Sequence, residues 1–375
     1  MIDTATSAEE LRERMVDRLA GLQGLGAGTV RAFKRVPRDA FLPDIPLERV
    51  YSGAVIPTRF DEKGHAISSS SEVGVMTSMI EALHLQEGQH ILEIGAGTGY
   101  NAAVLSELVG ERGSVTTVDI DPEILAEAQA RLARTGYDRI GAFAADGWRG
   151  WPEGAPYDRI ELTVGAADLS PDWNAQLVEG GLLAVPFSFR PNATAIPIFR
   201  KDGSRFSSTT ILPGGFMPLR GVGAPADLTR AIGEWKITTG RAIDEERLAA
   251  LLKEAPTVEL GPVVPWATGS LLALLEPDSL TLSRADRFAV SIGIFDGEGL
   301  AVVEWIGGNL TGARSVLAGL GATATLDRLR ARLAQLREVS LGDLRITAVP
   351  RGSEPPAGEL VFERAHYTFG VSLPS

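Results

Sequence analysis

The sequence contains no cysteine and only four histidines among its 375 residues. The missing thiols exclude disulfide bonds, thiolate nucleophiles and cysteine-ligated metals. The N-terminus opens with charged helical sequence instead of a basic segment followed by an apolar run, so we expect no secretory signal. No uninterrupted apolar stretch approaches the roughly 20 residues that a membrane helix needs. These absences predict a cytoplasmic protein that has no membrane contact.

Basic residues are in the minority, with 36 Lys and Arg against 48 Asp and Glu and a formal net charge of -12. This charge would repel a polyphosphate backbone, so we expect no nucleic-acid partner. Hydrophobic residues make up 44% and charged residues 22%, which is ordinary for a globular protein. The length favours two domains, which we place at 1–220 and 221–375.

Short apolar segments alternate with helical patterns from residue 90 onward. This order predicts a parallel sheet with helices on both faces, the doubly wound α/β fold. We expect strands at 90–94, 114–118, 142–144, 159–163 and 182–186, and helices at 101–109, 122–135 and 171–178. Beyond residue 221, a hairpin at 288–305 and a helix with an apolar stripe at 326–336 predict a smaller α+β domain.

A glycine-rich turn follows the first predicted strand. Gly95, Gly97 and Gly99 lie between this strand and a helix, where the backbone can turn tightly and approach a nucleotide-like ligand. Glu93 precedes the turn. Asp119 closes the next strand, roughly 20 residues after the loop, where an acid would accept both hydroxyls of a ribose.

A third element, Asp146-Gly147, ends the following strand and is placed to hydrogen-bond an adenine amino group. Taken in order, LEIGAGTGY, VDID, AADG and APYDRIEL resemble the ordered motifs of class I methyltransferases, which have a Rossmann-like sheet. We therefore expect S-adenosylmethionine as the cofactor in preference to NAD, which a glycine-rich turn alone would also allow. Thr163, Val164 and Gly165 are expected to shape the acceptor pocket at the same edge of the sheet.

Four consecutive serines stand before a predicted helix that begins at Ser71. Unpaired N–H groups and the helix dipole attract anions at a helix N-terminus, so Ser68, Ser69 and Ser70 are candidates for holding a carboxylate. At least one of the serines is expected to be the helix N-cap. A carboxylate is ionised at pH 7 and can attack a sulfonium methyl without a general base, so neither histidine nor metal is required.

The chain resembles the protein-L-isoaspartate O-methyltransferase family through VPRDAF, YSGAVIP, ADGWRGWPEGAPYDRI, EGGLLAVP and FMPLRG. The resemblance implies that Ser68, in the Ile67-Ser68 step, hydrogen-bonds the substrate carboxylate. The family commonly continues with one residue and then proline, whereas this sequence has Ser69 and Ser70.

That departure and the added domain resemble a divergent branch that methylates an ordinary aspartate in ribosomally synthesised peptides, after which the ester cyclises to an aspartimide. The resemblance implies a peptide or protein partner, such as a modified precursor peptide, and 221–375 as its recognition domain. Repair of L-isoaspartyl residues in damaged proteins is the alternative. Methylation of tRNA and a catalytically inactive peptide-binding module stay open as further readings.

Overall fold

The computed structural model describes residues 6–62, 64–190, 193–226, 228–264, 268–284, 287–309 and 312–373. The helices are α1 Ala8–Gln23, α2 Ala27–Arg35, α3 Leu47–Val50, α4 Val73–Leu83, α5 Tyr100–Val109, α6 Pro122–Arg134, α7 Pro171–Gln176, α8 Glu245–Leu251, α9 Thr268–Leu275 and α10 Thr323–Leu336.

The strands are β1 Ile56–Phe60, β2 Ala66–Ser70, β3 His90–Ile94, β4 Ser114–Asp119, β5 Gly141–Ala144, β6 Tyr157–Leu162, β7 Leu177–Ala184, β8 Phe187–Arg190, β9 Ala193–Asp202, β10 Arg205–Leu212, β11 Thr229–Ile232, β12 Trp235–Thr238, β13 Thr257–Val264, β14 Ser279–Arg284, β15 Arg287–Phe295, β16 Gly299–Asn309, β17 Gly312–Gly321, β18 Arg345–Pro350, β19 Leu360–Glu363 and β20 Tyr367–Ser372.

The chain divides into two compact units. The first comprises Met1–Pro186, Ile196–Pro225 and Arg345–Val371, and the second comprises Phe187–Ala195, Ala226–Leu344 and Ser372–Ser375. This division differs from a single boundary after residue 220, because 345–371 returns to the first unit. Strand β18 pairs antiparallel with β10 there, as Phe206 lies opposite Ala348.

The main sheet of the first unit confirms the predicted doubly wound α/β fold. Its strand order is β19-β20-β18-β10-β9-β7-β6-β3-β4-β5. The five strands β5, β4, β3, β6 and β7 run parallel. Helix α5 joins β3 to β4, α6 joins β4 to β5, and α7 joins β6 to β7. Beyond β7 the sheet continues with antiparallel strands. The sequence analysis did not predict that residues 345–371 belong to this sheet.

Local sequence explains the elements that carry the site. Strand β3, HILEI, is buried from Ile91 to Ile94, as expected for a central parallel strand. Helix α6 begins after Asp121, whose carboxylate accepts hydrogen bonds from the amides of Glu123 and Ile124, and Pro122 occupies the first helical position. Asp121 is thus the N-cap of α6.

The predicted start of α4 at Ser71 was wrong. The helix begins at Val73, and its N-cap is Glu72, whose side chain accepts a hydrogen bond from the amide of Gly74. The serines extend strand β2 instead, and β2 pairs antiparallel with β1 as a two-stranded hairpin. Glutamate is a poor N-cap by preference, so neither residue type nor periodicity marked this boundary.

The second unit is a seven-stranded antiparallel sheet in the order β11-β12-β14-β15-β16-β17-β13, with helices α8, α9 and α10. The predicted hairpin corresponds to β15 and β16, and Asp296 accepts hydrogen bonds from the amides of Glu298 and Gly299 in its turn. The predicted apolar stripe of α10 is buried at Leu326, Leu329, Leu333 and Leu336. The α+β class is therefore confirmed.

Within the described ranges, no helix is long and apolar enough to span a bilayer. The same residues contain no group of three or more His, Cys, Asp or Glu side chains placed to bind a metal ion.

Candidate functional site

A cavity of about 550 Å³ opens in the first unit where β3, β4 and β6 end. The carboxyl edge of parallel strands is the place where ligands bind in such sheets, and this volume suits a small molecule. The cavity lining includes eight of the predicted site residues, namely Ser68, Ser69, Ser70, Glu93, Gly95, Gly97, Asp119 and Gly147. Thr163 and Val164 also line it, whereas the predicted neighbour Gly165 is not part of the lining.

The glycine-rich turn has a backbone that requires glycine at two positions facing the cavity. Gly95 has φ +108°, and a β-carbon there would collide with the hydroxyl of Thr163. Gly97 has φ +51°, and its β-carbon would lie 3.4 Å from the Ser69 carbonyl oxygen and 3.9 Å from Ser68 Oγ. Gly97 therefore presents bare backbone to the cavity beside β2, Ala66–Ser70, here called the serine strand.

Gly99 differs from the other two glycines, because it packs inward. A β-carbon there would lie 3.2 Å from Leu132 Cγ and 3.5 Å from Ala128 Cβ on α6. Gly99 is the N-cap of α5 and its amide donates to the Ala96 carbonyl. Its place in the structure is helix packing, and it does not line the cavity.

The carboxylate of Asp119 lies at the end of β4 and lines the cavity. Its Oδ2 accepts from the Gly97 amide at 3.2 Å and its Oδ1 from the Asp121 amide at 3.1 Å. These bonds fix the carboxylate beside the glycine-rich turn. Each oxygen keeps further lone pairs for a ribose hydroxyl.

Arg220 is a cavity residue that sequence reasoning missed. Its guanidinium lies 3.7 Å from Asp119 Oδ1 and 3.4 Å from Asp121 Oδ2. The FMPLRG segment marked the region but gave no reason to select the arginine. Arg220 and Asp121 are 99 residues apart in the sequence, so only the fold brings them together.

Asp146 and Gly147 differ in their position relative to the cavity. Gly147 lines the cavity, and a β-carbon there would collide with Ile94. Asp146 does not line it, and its carboxylate accepts from the amides of Trp148 and Val222, both at 2.9 Å. The contact from the Asp146 side chain to an adenine stays a prediction, since each of its oxygens accepts one backbone amide and keeps a further lone pair.

The serine strand presents two buried hydroxyls. Ser68 Oγ accepts from Thr58 Oγ1 at 3.2 Å, and Ser70 Oγ accepts from Arg38 Nη2 at 3.1 Å. Ser69, between them, is half-buried. Glu72 caps α4 and the three serines lie on β2, so they are not at the helix N-terminus as expected. That they hold a carboxylate stays a prediction. The hydroxyls reach the cavity from a strand.

Arg38 is a second residue that the sequence did not mark as functional. The residue is fully buried, and its guanidinium also donates to the carbonyl oxygens of Val50, Ala54 and Ser71. Burial lowers the pKa of Arg38 below its ordinary value, although an arginine stays protonated. The guanidinium therefore ties the serine strand to the loops before it.

A pair of buried carboxylates lies behind the glycine-rich turn. Asn101 Nδ2 donates to Glu93 Oε1 and to Glu161 Oε2, both at 2.9 Å. Burial raises the pKa of Glu93 to about 8 and that of Glu161 to about 7. Glu161 was not a predicted site residue, because an acid inside an apolar strand has no motif of its own.

Comparison with known proteins identifies the family. The family model described as Protein-L-isoaspartate(D-aspartate) O-methyltransferase matches residues 15–222. A Protein-L-isoaspartate O-methyltransferase from Methanopyrus kandleri is 39% identical over 181 residues, which are 48% of this chain and 77% of that protein. Protein-L-isoaspartate O-methyltransferase 1 from Rhodopseudomonas palustris is 40% identical over 185 residues, 49% of this chain and 72% of that protein.

A solved structure named protein-L-isoaspartate O-methyltransferase has the same fold over almost the whole chain. It covers 96% of this chain and 99% of its own, with a TM-score of 0.56 and 24% identity. At this identity the likeness concerns the fold alone, and it confirms the class I methyltransferase architecture. A protein of that name therefore also has a region that corresponds to residues beyond 220. The presence of this region does not by itself indicate the branch that methylates ordinary aspartate.

Proposed function

We propose that this chain esterifies the side-chain carboxylate of aspartate in a peptide. The chain belongs to the protein-L-isoaspartate(D-aspartate) O-methyltransferase family. Family membership gives the general activity: the protein is a protein carboxyl O-methyltransferase that uses S-adenosylmethionine. The cavity fits this cofactor, because Gly95 and Gly97 line it with bare backbone, a β-carbon on Gly97 would occupy space beside the serine strand, and Asp119 supplies an acceptor for ribose.

The position of Ser68 is the observation that supports the proposed site for the acceptor carboxylate. Its hydroxyl lies beside the glycine-rich turn, 3.9 Å from the position of a β-carbon on Gly97. A carboxylate held by Ser68 would therefore lie next to the cofactor loop. When bound, S-adenosylmethionine supplies an electrophilic methyl group that a carboxylate oxygen takes. The task of this chain is then to align the acceptor and exclude water, a contribution worth roughly 7–11 kcal/mol in favourable intramolecular reactions.

The preference for aspartate over isoaspartate is supported by Ser70. The family commonly has proline two residues after the serine that corresponds to Ser68, and proline has no hydroxyl. Here the Ser70 hydroxyl accepts two bonds from Arg38, at 3.1 and 3.4 Å. The strand that presents Ser68 is consequently held by hydrogen bonds that a proline side chain could not accept. We propose that this difference changes which acceptor fits the site.

We further propose that the ester cyclises after release from the site. The backbone nitrogen of the next residue attacks the ester carbonyl, its proton leaves with the methoxide as methanol, and an aspartimide forms. The second unit, 226–344 with 187–195, is proposed to recognise the peptide that carries the aspartate, for which a precursor peptide is our candidate.

Repair of L-isoaspartyl residues is the second candidate, because relatives of that name are 39% and 40% identical to this chain. Methylation of tRNA is disfavoured by the net charge of -12. A peptide-binding module without catalysis would require that S-adenosylhomocysteine fails to bind, which calorimetry can test.

Matched synthetic peptides distinguish the two enzyme candidates. Peptides with a single Asp-Gly or isoAsp-Gly step, and a precursor peptide encoded near the gene, are incubated with the full chain and S-adenosylmethionine, and intact mass is followed with time. We expect the aspartyl peptides to gain one methyl group and later to lose methanol. Faster methylation of the isoaspartyl peptides would establish repair and overturn the proposal.

A further inference from the structure

Three polar residues occupy matched positions on neighbouring strands behind the cavity. Glu93 on β3 lies opposite Thr117 on β4 and opposite Glu161 on β6. Their side chains therefore share one face of the sheet, and they are 0%, 0% and 1% exposed. Polar groups buried at the centre of a parallel sheet are costly, so this arrangement requires an explanation beyond folding.

Asn101, on the first turn of α5, joins the two acids. Its Nδ2 donates to both carboxylates, while Thr117 Oγ1 donates to the other oxygen of Glu93 at 2.5 Å. The Asn101 Oδ1 atom is buried and has no hydrogen-bond partner among the described residues. Glu93 and Asn101 line the cavity, whereas Glu161 lies behind them. The orphaned Asn101 oxygen therefore lies in the wall of the cavity, next to the Glu93 carboxylate, which already accepts from Asn101 and Thr117.

The acids have no cation as partner among the residues that the structure describes. The other charged groups of the cavity lining are Glu72, Asp119 and Arg220. Arg220 pairs with Asp119 and with Asp121, so it is not a partner of the buried acids. On the remaining side, the guanidinium of Arg38 packs against the ring of Tyr100 and donates to oxygens of the serine strand and its loops.

On β6 itself, Arg159 donates to the Leu83 carbonyl and Asp158 accepts from the His90 amide, both away from the cavity edge. Two uncompensated carboxylates in a low-dielectric interior do not both ionise at little cost, so the cluster keeps a proton near neutral pH. Burial and the negative charges of neighbouring acids raise the pKa of Glu93, and burial raises that of Glu161.

We propose that Glu93, Asn101 and Glu161 form a proton-exchanging anionic cluster that distinguishes a cationic ligand in the cavity from a neutral one. The inference rests on the proposed function, because S-adenosylmethionine carries a sulfonium and S-adenosylhomocysteine does not. A cation in the cavity favours the ionised cluster, which releases its proton. When the cavity holds the neutral product, the cluster regains the proton and loses its attraction. Glu161 is a positioning residue that acts through Asn101.

Calorimetry on the full chain without acceptor tests this directly. S-Adenosylmethionine and S-adenosylhomocysteine are titrated separately at pH 7 in phosphate and in Tris, whose ionisation enthalpies differ, so that the protons released on binding can be counted. We expect S-adenosylmethionine to release more protons than S-adenosylhomocysteine, by about half a proton, and to gain affinity relative to it by about threefold to tenfold from pH 6 to pH 8.

Glu161→Gln keeps an oxygen that accepts from Asn101 but cannot titrate. We expect it to lose most of the difference in proton release between the two ligands. Glu107→Gln is the matched control, since it makes the same change of charge on α5, where the carboxylate pairs with Arg35 and Tyr137. This control should keep the difference seen in the wild type.

Equal proton release for both ligands in the wild type would overturn the inference and leave the cofactor assignment intact. An unchanged difference in Glu161→Gln would overturn the role of Glu161. Failure of both ligands to bind would overturn the proposed function together with the inference, so the two failures are distinguishable.

Discussion

Ser68 and Ser70 lie two residues apart on one strand but have different partners. Ser68 shares a hydrogen bond with Thr58 and lines the cavity, whereas Ser70 accepts from the buried Arg38. The first hydroxyl can rotate towards a ligand, because Thr58 can serve either as donor or as acceptor. The second is fixed by a cation. Their contributions to binding and to stability can therefore be separated.

Ser68→Ala is expected to lower kcat/KM for a peptide acceptor by about tenfold to a hundredfold, the equivalent of one hydrogen bond to a charged group. Affinity for S-adenosylhomocysteine should stay within about twofold, because the glycine-rich turn and Asp119 are untouched. Ser78→Ala on α4 is the control, since that hydroxyl donates to the Gly74 carbonyl. Steady-state kinetics with full activity in Ser68→Ala would contradict the acceptor assignment.

Arg38→Met should destabilise the first unit by about 2–4 kcal/mol, because it leaves the buried Ser70 hydroxyl and three carbonyl oxygens, one buried and two partly buried, without their donor. Arg49→Met, at a residue exposed on α3, is the matched control. Urea unfolding measures both. A loss below about 0.5 kcal/mol for Arg38→Met, the range of surface substitutions, would show that these contacts contribute little.

The buried acid pair makes stability depend on pH. Glu161 ionises near its ordinary pKa of 4.5 in the unfolded chain but stays protonated to about pH 7 in the folded one. Wild-type stability therefore falls as the pH rises through this interval, because only the unfolded chain gains the charge. Glu161→Gln avoids that fall, and its stability relative to wild type should rise by up to about 3 kcal/mol between pH 5 and pH 8.

Denaturant unfolding at several pH values measures this difference. A difference between Glu161→Gln and wild type that stays constant from pH 5 to pH 8 would mean that Glu161 titrates normally.

Among the elements, the glycine-rich turn was the most predictable and the serine strand the least. The strand-turn-helix around Gly95 and Gly97 follows from residues adjacent in sequence, each with a local physical reason. The β1–β2 hairpin depends on Arg38 and on a glutamate N-cap, and neither leaves a periodic pattern. The contact that orients the Asp146 carboxylate could not be predicted for a related reason, because it comes from the Val222 amide, 76 residues away.

Gly97→Ala tests the turn as an element. A β-carbon at Gly97 would enter the space between the turn and the serine strand, so we expect affinity for S-adenosylhomocysteine to fall by about tenfold or more, with a loss of stability of about 1 kcal/mol. Gly136→Ala is the matched control, because φ there is +82° and the position faces open space. Calorimetry with equal affinities in the two variants would show that no ligand approaches Gly97.

In the whole molecule, the family match ends at residue 222, yet the first unit needs residues 345–371. Sequence alone could not place this return, because antiparallel pairing of β18 with β10 joins residues about 140 positions apart and carries no local signal. Phe206 on β10 and Phe369 on β20 are both fully buried. A chain that ends at residue 225 would expose this part of the core.

We therefore expect residues 1–225 alone to unfold without a cooperative transition and to bind no S-adenosylhomocysteine. A chain in which a flexible Gly-Ser segment replaces 226–344 should keep both properties, because it retains β18, β19 and β20. Circular dichroism melting and calorimetry measure the two chains. Cooperative unfolding of residues 1–225 would contradict the assignment of 345–371 to the first unit.

The position of the transferred methyl group tests the central claim most directly. The full chain is supplied with ¹³C-methyl S-adenosylmethionine and the aspartyl peptide, and the early product is analysed by carbon-correlated NMR. We predict a methyl ester whose label couples to the side-chain carboxyl carbon of an ordinary aspartate, followed by its disappearance as the aspartimide forms. A label confined to the α-carboxyl of isoaspartyl residues, or to any group other than a carboxyl, would contradict the account.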